Sequence, residues 1–261
     1  MSLAPYYQSE RVTLYCGDCR AVVDSLGLRA DMIFTDPPYG HNNNNNNDLI
    51  HRWEAALGRG AHGDSRPICN DSPEGATEMA LWLFAATPDI LPPGGCCCCC
   101  CAGGGPDPQF ARWSLWMDER MDFKQMVVWD KGPMGMGWHY RRSYETVLVG
   151  VNRGAKCKWY DDSKRVENII RDVPKIIPRK TDHPTPKPVE LPKRFIGYHT
   201  MPDETVLDPF TGSGTTGVAA VQLGRKFIGI ELEERYCEIA AKRIQAAESQ
   251  YALFEPAEGV A

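Results

Sequence analysis

Short apolar, β-branched runs alternate with helically spaced stretches along this chain, and each run ends in a polar cluster. Residues 11–16 (Arg-Val-Thr-Leu-Tyr-Cys) and 31–35 (Asp-Met-Ile-Phe-Thr) are closed by Gly17-Asp18 and by Asp36-Pro37-Pro38. The stretch between them, about 20–27, has helical spacing, so the opening reads strand, helix, strand, the unit of a parallel sheet. Asp71-Ser72-Pro73 supplies a helix start with proline in the first turn, and Ala80, Leu81, Leu83 and Phe84 give the apolar positions that follow. Six consecutive cysteines, Cys96 to Cys101, are entered through Leu91-Pro92-Pro93-Gly94-Gly95 and left through Gly103-Gly104-Gly105; they read as a buried strand. Asp107-Pro108 opens another helix to about Met121, and Met126 to Trp129 with Thr146 to Val151 reads as an antiparallel pair. A helix from Pro188 to about His199 precedes strand 205–207, a glycine-rich turn, a helix, strand 226–230 and a last helix to about Gln245. This alternation predicts an α/β fold with a doubly wound, mostly parallel sheet and one antiparallel strand pair. Ligands of such sheets sit at the carboxyl ends of strands, and Asp18, Asp36 and Asp208 all fall at that edge.

Two stretches interrupt the alternation within what reads as a single domain over 1–261. Residues 41–70 hold His41, the six asparagines Asn42 to Asn47 and a short helical pattern at 49–57; they read as an inserted mobile loop or lid. Residues 155–181 mix basic with aromatic and aliphatic residues without a period.

Composition narrows the class. With 43% hydrophobic and 24% charged residues, the chain has the balance of a soluble globular protein. No apolar stretch approaches the roughly 20 residues of a membrane span and no basic-then-apolar leader opens the chain, so a cytoplasmic location and no membrane partner are expected. Most of the 11 cysteines lie in the run. Neighbours in a strand point to opposite faces and vicinal cysteines rarely meet tetrahedral geometry, so a reducing compartment and no metal site are expected. Net charge is −5, yet residues 131–194 carry 15 Lys and Arg against 7 Asp and Glu. Such a segment reads either as a phosphate-facing surface or as a solvated charged face.

Two segments bear the chemistry. Asp208-Pro209-Phe210-Thr211-Gly212-Ser213-Gly214-Thr215-Thr216 follows a strand and precedes a helix, where glycines admit a ligand to the backbone and amides attract an anion. It lacks the Lys-Ser/Thr ending of a P-loop. Glu231 ends the next strand, where a carboxylate can accept ribose hydroxyls. Asp36-Pro37-Pro38-Tyr39-Gly40 joins a carboxylate, two residues without backbone donors and an aromatic face. That acceptor-only environment suits an amino group on a ring stacked against Tyr39.

The tetrapeptide Asp36 to Tyr39, paired with the later Asp208 to Gly214, resembles the amino-methyltransferases of DNA. The order, tetrapeptide first, resembles their permuted β class. Gly17-Asp18, His183-Pro184-Thr185-Pro186-Lys187-Pro188 and Gly229-Ile230-Glu231-Leu232 match further motifs of that class. The resemblance implies a permuted class I methyltransferase fold with a seven-stranded sheet and direct methyl transfer from S-adenosylmethionine to an exocyclic nitrogen. It implies that Asp36 and the Pro37 carbonyl orient the amino group, with Pro38 stiffening the turn and Tyr39 stacking on a flipped base. It assigns Asp208 to the methionine amino group and Thr185, Lys187 and the Gly212-Ser213-Gly214-Thr215 backbone to its carboxylate. Glu231 would hold the ribose, Asp18 the adenine, and Phe210 would line the same site. An aspartate opening the tetrapeptide accompanies adenine N6 transfer more often than cytosine N4, so adenine is expected, with the cytosine N4 enzyme as the alternative. A DNA-binding protein without turnover has no need of the cofactor residues, and RNA or protein methyltransferases place the tetrapeptide after the cofactor motif. The resemblance implies double-stranded DNA as the partner, with Arg141, Arg142, Lys156, Lys158, Lys164 and Arg165 as candidate contacts and 155–181 as a short recognition segment. Whether a second copy forms a homodimer, and whether a cognate restriction endonuclease is a partner in a restriction-modification pair, stays open.

Overall fold

The protein is described by a computed structural model over residues 4–40, 69–102, 108–132, 139–176 and 187–254. In chain order the strands are β1 (Tyr7–Gln8), β2 (Val12–Cys16), β3 (Met32–Thr35), β4 (Cys96–Cys101), β5 (Asp122–Asp130), β6 (Tyr144–Val151), β7 (Ile169–Ile170), β8 (Thr205–Asp208) and β9 (Lys226–Glu231). The helices are α1 (Cys19–Leu26), α2 (Pro73–Ile90), α3 (Gln109–Arg120), α4 (Glu190–His199), α5 (Thr215–Gln222) and α6 (Glu234–Phe254).

Local chemistry fixes the helix ends. Asp18 caps α1 by accepting from the Arg20 amide at 2.9 Å, and Gly27 ends it in the left-handed conformation at φ 55°. Ser72 caps α2 by accepting from the Gly75 amide at 3.0 Å, with Pro73 in the first turn.

The strands form one sheet in the order β1-β2-β9-β8-β3-β4-β6-β5-β7. β2, β9, β8, β3 and β4 run parallel, and β6 is antiparallel to both β4 and β5. One face packs on α1, α2 and α3 through Val22, Leu83, Phe84, Trp113 and Met117. The other packs on α4, α5 and α6 through Leu191, Phe195, Val221, Ala240 and Ile244. The cysteine run lies between β3 and β6, buried throughout as expected, with Cys97, Cys99 and Cys101 facing the first layer and Cys96, Cys98 and Cys100 the second. Six small side chains let two helical layers close on one central strand. Among the described residues no helix is long and apolar enough to cross a membrane.

Three expectations need correction. Among the described residues the sheet has nine strands rather than seven, because two-residue strands β1 and β7 extend its edges. β1 is held by Tyr7, whose hydroxyl donates to Glu248 Oε2 at 2.6 Å, and the segment after β7 by Trp129 Nε1, which donates to the Val173 carbonyl at 2.7 Å. Helix α6 runs past Gln245 to Phe254, since Glu248 anchors β1 and the Tyr251 ring lies 5.7 Å from the Arg11 guanidinium. β5 begins at Asp122 rather than Met126, with a register shift between Phe123 and Gln125 that obscures its alternation. Of the inserted loop, residues 41–68 lie outside the described residues, as do residues 177–181 of the second stretch.

Candidate functional site

The parallel strands deliver four carboxylates to one edge. Cys16 pairs with Glu231, Asp208 with Gly229, and Ile33 with Leu207, so Asp18, Glu231, Asp208 and Asp36 follow one another across the carboxyl ends of β2, β9, β8 and β3. After β8 the chain turns into α5 on one face, and after β3 the next described helix, α2, lies on the other. The boundary between β8 and β3 is therefore the topological switch point, where doubly wound sheets bind ligands.

Around Asp36 the side chains form a tight ionic cluster. Tyr39 Oη donates to Asp36 Oδ1 at 2.5 Å, and the Lys187 ammonium stands 2.8 Å from Asp36 Oδ2. The same ammonium donates to Tyr39 Oη at 3.1 Å, lies 5.1 Å from the Tyr39 ring centre, and pairs with Glu145 Oε2 at 2.8 Å. Lys131 closes the cluster on Glu145 Oε1 at 2.8 Å. Burial alone would raise the Glu145 pKa, but Lys187 and Lys131 outweigh it and hold the carboxyl at about 2. Burial would likewise lower the Lys187 pKa, yet Asp36 and Glu145 raise it, so the ammonium keeps its charge at neutral pH. Burial and the neighbouring Asp36 push the Tyr39 phenol well above its ordinary value. Pro37 is buried and Pro38 half-buried, and neither offers an amide proton. The Gln109 side-chain amide donates to the Tyr39 carbonyl, while its own buried Oε1 has no partner among the described residues.

The neighbouring half of the edge is arranged by the glycine-rich turn. Asp208, only 2% exposed, accepts from Thr35 Oγ1 at 2.7 Å and from the Phe210 amide at 3.1 Å, and burial raises its pKa to about 6. Glu231 accepts from the Gly212 amide at 2.8 Å and the Glu233 amide at 2.9 Å, on different oxygens. A carboxylate has about four acceptor positions, so Glu231 keeps acceptor capacity for a ligand hydroxyl. Asp18 stands at the rim, its pKa lowered first by the hydrogen bonds of Arg20, which pairs with it at 2.7 Å. Phe210 packs edge-on against Trp82 with ring centres 6.3 Å apart. Carboxylates at both ends of this edge and a diol-accepting glutamate between them form a donor set suited to a cationic ligand carrying a ribose. S-adenosylmethionine has that chemistry, and the residues present fit it.

Several expected roles shift. Lys187 lies in the Asp36 cluster, its ammonium paired with both Asp36 and Glu145. The Ser213 and Thr215 hydroxyls face α6, where Arg243 Nη1 donates to them at 2.7 and 3.3 Å; only their backbone remains for the edge. Gly214, at φ 81°, is required by α6 as well, since a Cβ there would lie 2.9 Å from Ala240 Cα. Thr185 lies outside the described residues.

The basic candidates divide. Arg141 and Arg142 precede β6, whose start pairs with the end of β4 at Cys101–Thr146, so they stand on the carboxyl side. Lys158 does not: its ammonium bridges Asp31 at 3.0 Å and Glu204 at 2.6 Å, just before β3 and β8, at the opposite end of the sheet. Lys156 lies there too, its carbonyl against Gly94 just before β4. Arg165 lines an apolar recess with Val127, Val166 and Tyr198 on the flank of the sheet, and Lys164 precedes it at φ 57°. The recognition segment is thus partly a structural strap.

Sequence reasoning missed Glu145, Lys131 and Gln109. Glu145 had a legible signal, a carboxylate beside the apolar run 146–151. Gln109 had none, since its role depends on α3 meeting Tyr39 across a sequence separation of 70. Asp71 was taken only as part of a helix start, yet its Oδ1 accepts from the Gly40 amide at 2.9 Å and so holds the end of the segment 36–40 against the start of α2.

A family model described as a DNA methylase matches residues 30–242. Among curated relatives, "Type II methyltransferase M2.DpnII" of Streptococcus pneumoniae is 37% identical over 119 residues, covering 41% of this chain and 44% of that protein. "Type II methyltransferase M2.LlaDCHI" of Lactococcus lactis subsp. cremoris is 28% identical over 92% of this chain and 91% of its own length. "DNA adenine methyltransferase YhdJ" of Escherichia coli (strain K12) is 30% identical over 51% of this chain and 55% of that protein. Among solved structures, the M1.HpyAVI-SAM complex aligns with TM-score 0.61 and 29% identity, covering 89% of this chain and 99% of the other. The PvuII DNA methyltransferase, titled cytosine-N4-specific, aligns with TM-score 0.69 over 97% of each chain at 18% identity, a likeness of fold.

Proposed function

The chain belongs to the DNA methylase family, whose members modify adenine N6 or cytosine N4, and from that premise we propose that it methylates adenine N6 in a specific sequence of double-stranded DNA. S-adenosylmethionine, when bound, supplies an electrophilic methyl group on a sulfonium. Asp208 takes its amino group, Glu231 its ribose hydroxyls, Asp18 its adenine, and the backbone of 212–215 its carboxylate. Phe210 closes the pocket against Trp82. Asp36 and the carbonyls around Pro37 and Pro38 accept the protons of the target amino group, orienting its nitrogen lone pair toward the methyl carbon. Tyr39 supplies the face on which a flipped base stacks. Lys187 stays protonated, so it orients Asp36 rather than acting as a base. The proton lost from the methylated nitrogen passes to Asp36 or to water.

The observation that carries this reading is the Asp36 cluster at the switch point, next to Asp208 on the adjacent strand. The aspartate that opens the tetrapeptide, and the adenine methyltransferase among the relatives, support the choice of base. Homodimerisation and a cognate restriction endonuclease are further proposals, the second supported by the type II names of two relatives. Mass analysis of nucleosides from DNA treated with the purified protein tests the base assignment. N6-methyladenine is expected, and N4-methylcytosine alone would overturn it.

A further inference from the structure

We infer that the amino-terminal end of β4 is a structural zinc site built from Cys96, Cys98 and His199, with Cys157 as the fourth ligand. This site is separate from the carboxyl edge where Asp36 stands. Alternation puts Cys96 and Cys98 on one face of the strand, their sulfurs 3.6 Å apart. Two thiolates about 2.3 Å from a tetrahedral zinc stand roughly 3.8 Å from each other, so this spacing is already that of a ligand pair. His199 ends α4 and reaches the same point, so that the ligand atoms of the three buried residues all lie within 4.8 Å of one another. Cys157 flanks them, its sulfur 3.7 Å from His199 Nδ1 and in hydrogen-bonding contact with Cys96.

The surroundings are those of a metal site. His199 Nδ1 lies 2.9 Å from the Lys158 carbonyl, a contact that holds the ring beside the sulfurs. Lys158 is itself clamped by Asp31 and Glu204, so that carbonyl is fixed. A divalent ion binding there would displace the thiol protons and be held by thiolates and one imidazole. The ion would tie β4, α4 and the strap at 155–160 together. The expectation of no metal site considered adjacent cysteines, whereas the fold pairs alternate ones.

The opposite face of β4 provides a control, because Cys97 is equally buried yet points away from His199. The test uses the full chain, purified with reductant, freed of metal by a chelator and titrated with cobalt(II). One equivalent per chain should give the intense visible bands of tetrahedral coordination and a sulfur-to-cobalt charge-transfer band, both displaced by one equivalent of zinc. Cys98→Val and His199→Gln should abolish these signals, and Cys97→Val should leave them unchanged. If Cys98→Val fails to fold, the wild-type stoichiometry and His199→Gln decide. Absence of tetrahedral cobalt in the wild type, signals that survive His199→Gln, or equal loss in Cys97→Val would each overturn the assignment.

Discussion

At Lys187 one ammonium serves two carboxylates, and the balance between them sets how Asp36 is presented. Glu145 holds the same ammonium at 2.8 Å, so Glu145→Gln should let Lys187 collapse onto Asp36 and slow methyl transfer, with cofactor affinity changed little. The same variant carries a stability signature. Its carboxyl titrates lower in the folded chain than in the unfolded one, so its contribution is present above about 4.5 and is lost as pH falls toward about 2. Acid denaturation profiles should therefore show the wild type losing stability across that window more steeply than Glu145→Gln. Asp208 has the opposite sign: its folded pKa of about 6 lies above the ordinary carboxylate value, so its ionisation costs stability as pH rises toward 6. A cationic ligand favours the ionised form, and cofactor affinity measured by calorimetry should tighten as pH rises through about 6. Asp208→Asn should flatten that dependence. Asp36, Asp208 and Glu231 were legible because each closes or follows an apolar run. Glu145 and Gln109 act through contacts between distant segments, which no local pattern reports.

Elements were more legible than their partners. The cysteine run, the proline-started helix α2 and the turn before α5 each state their conformation locally. Edge strands β1 and β7, two residues each, are too short for alternation; β1 is held by Glu248, and the segment after β7 by Trp129. The glycine turn shows how one motif serves two demands. Gly212 donates its amide to Glu231, while Gly214 admits α6, so Gly214→Ala should cost about 1–3 kcal/mol of stability by urea denaturation through the Ala240 contact. Ser72→Ala, which removes only the cap of α2, should cost about 1 kcal/mol. A Gly214→Ala loss no larger than that of Ser72→Ala would mean the turn relaxes away from α6.

Across the whole molecule, the permuted chain order matters less than the edge it builds. Strands far apart in sequence, β3 and β8, are neighbours, so a catalytic motif and a cofactor motif separated by about 170 residues meet at one switch point. The excess positive charge at 131–194 was legible as a sum, but its direction was not, since Lys158 is consumed at the opposite end of the sheet. Replacing Arg141 and Arg142 together should weaken DNA binding and lower the slope of log affinity against log salt by up to roughly 1.8, about 0.9 for each phosphate contact. Replacing Lys158 should leave that slope unchanged and lower stability instead. The account rests most heavily on Asp36 as the residue that orients the target amino group. Cofactor affinity and labelled methyl transfer to DNA, measured side by side on Asp36→Ala, test it most directly. Transfer should fall by at least ~100-fold while affinity stays within a few-fold of wild type; retained transfer, or a parallel loss of both, would contradict the account.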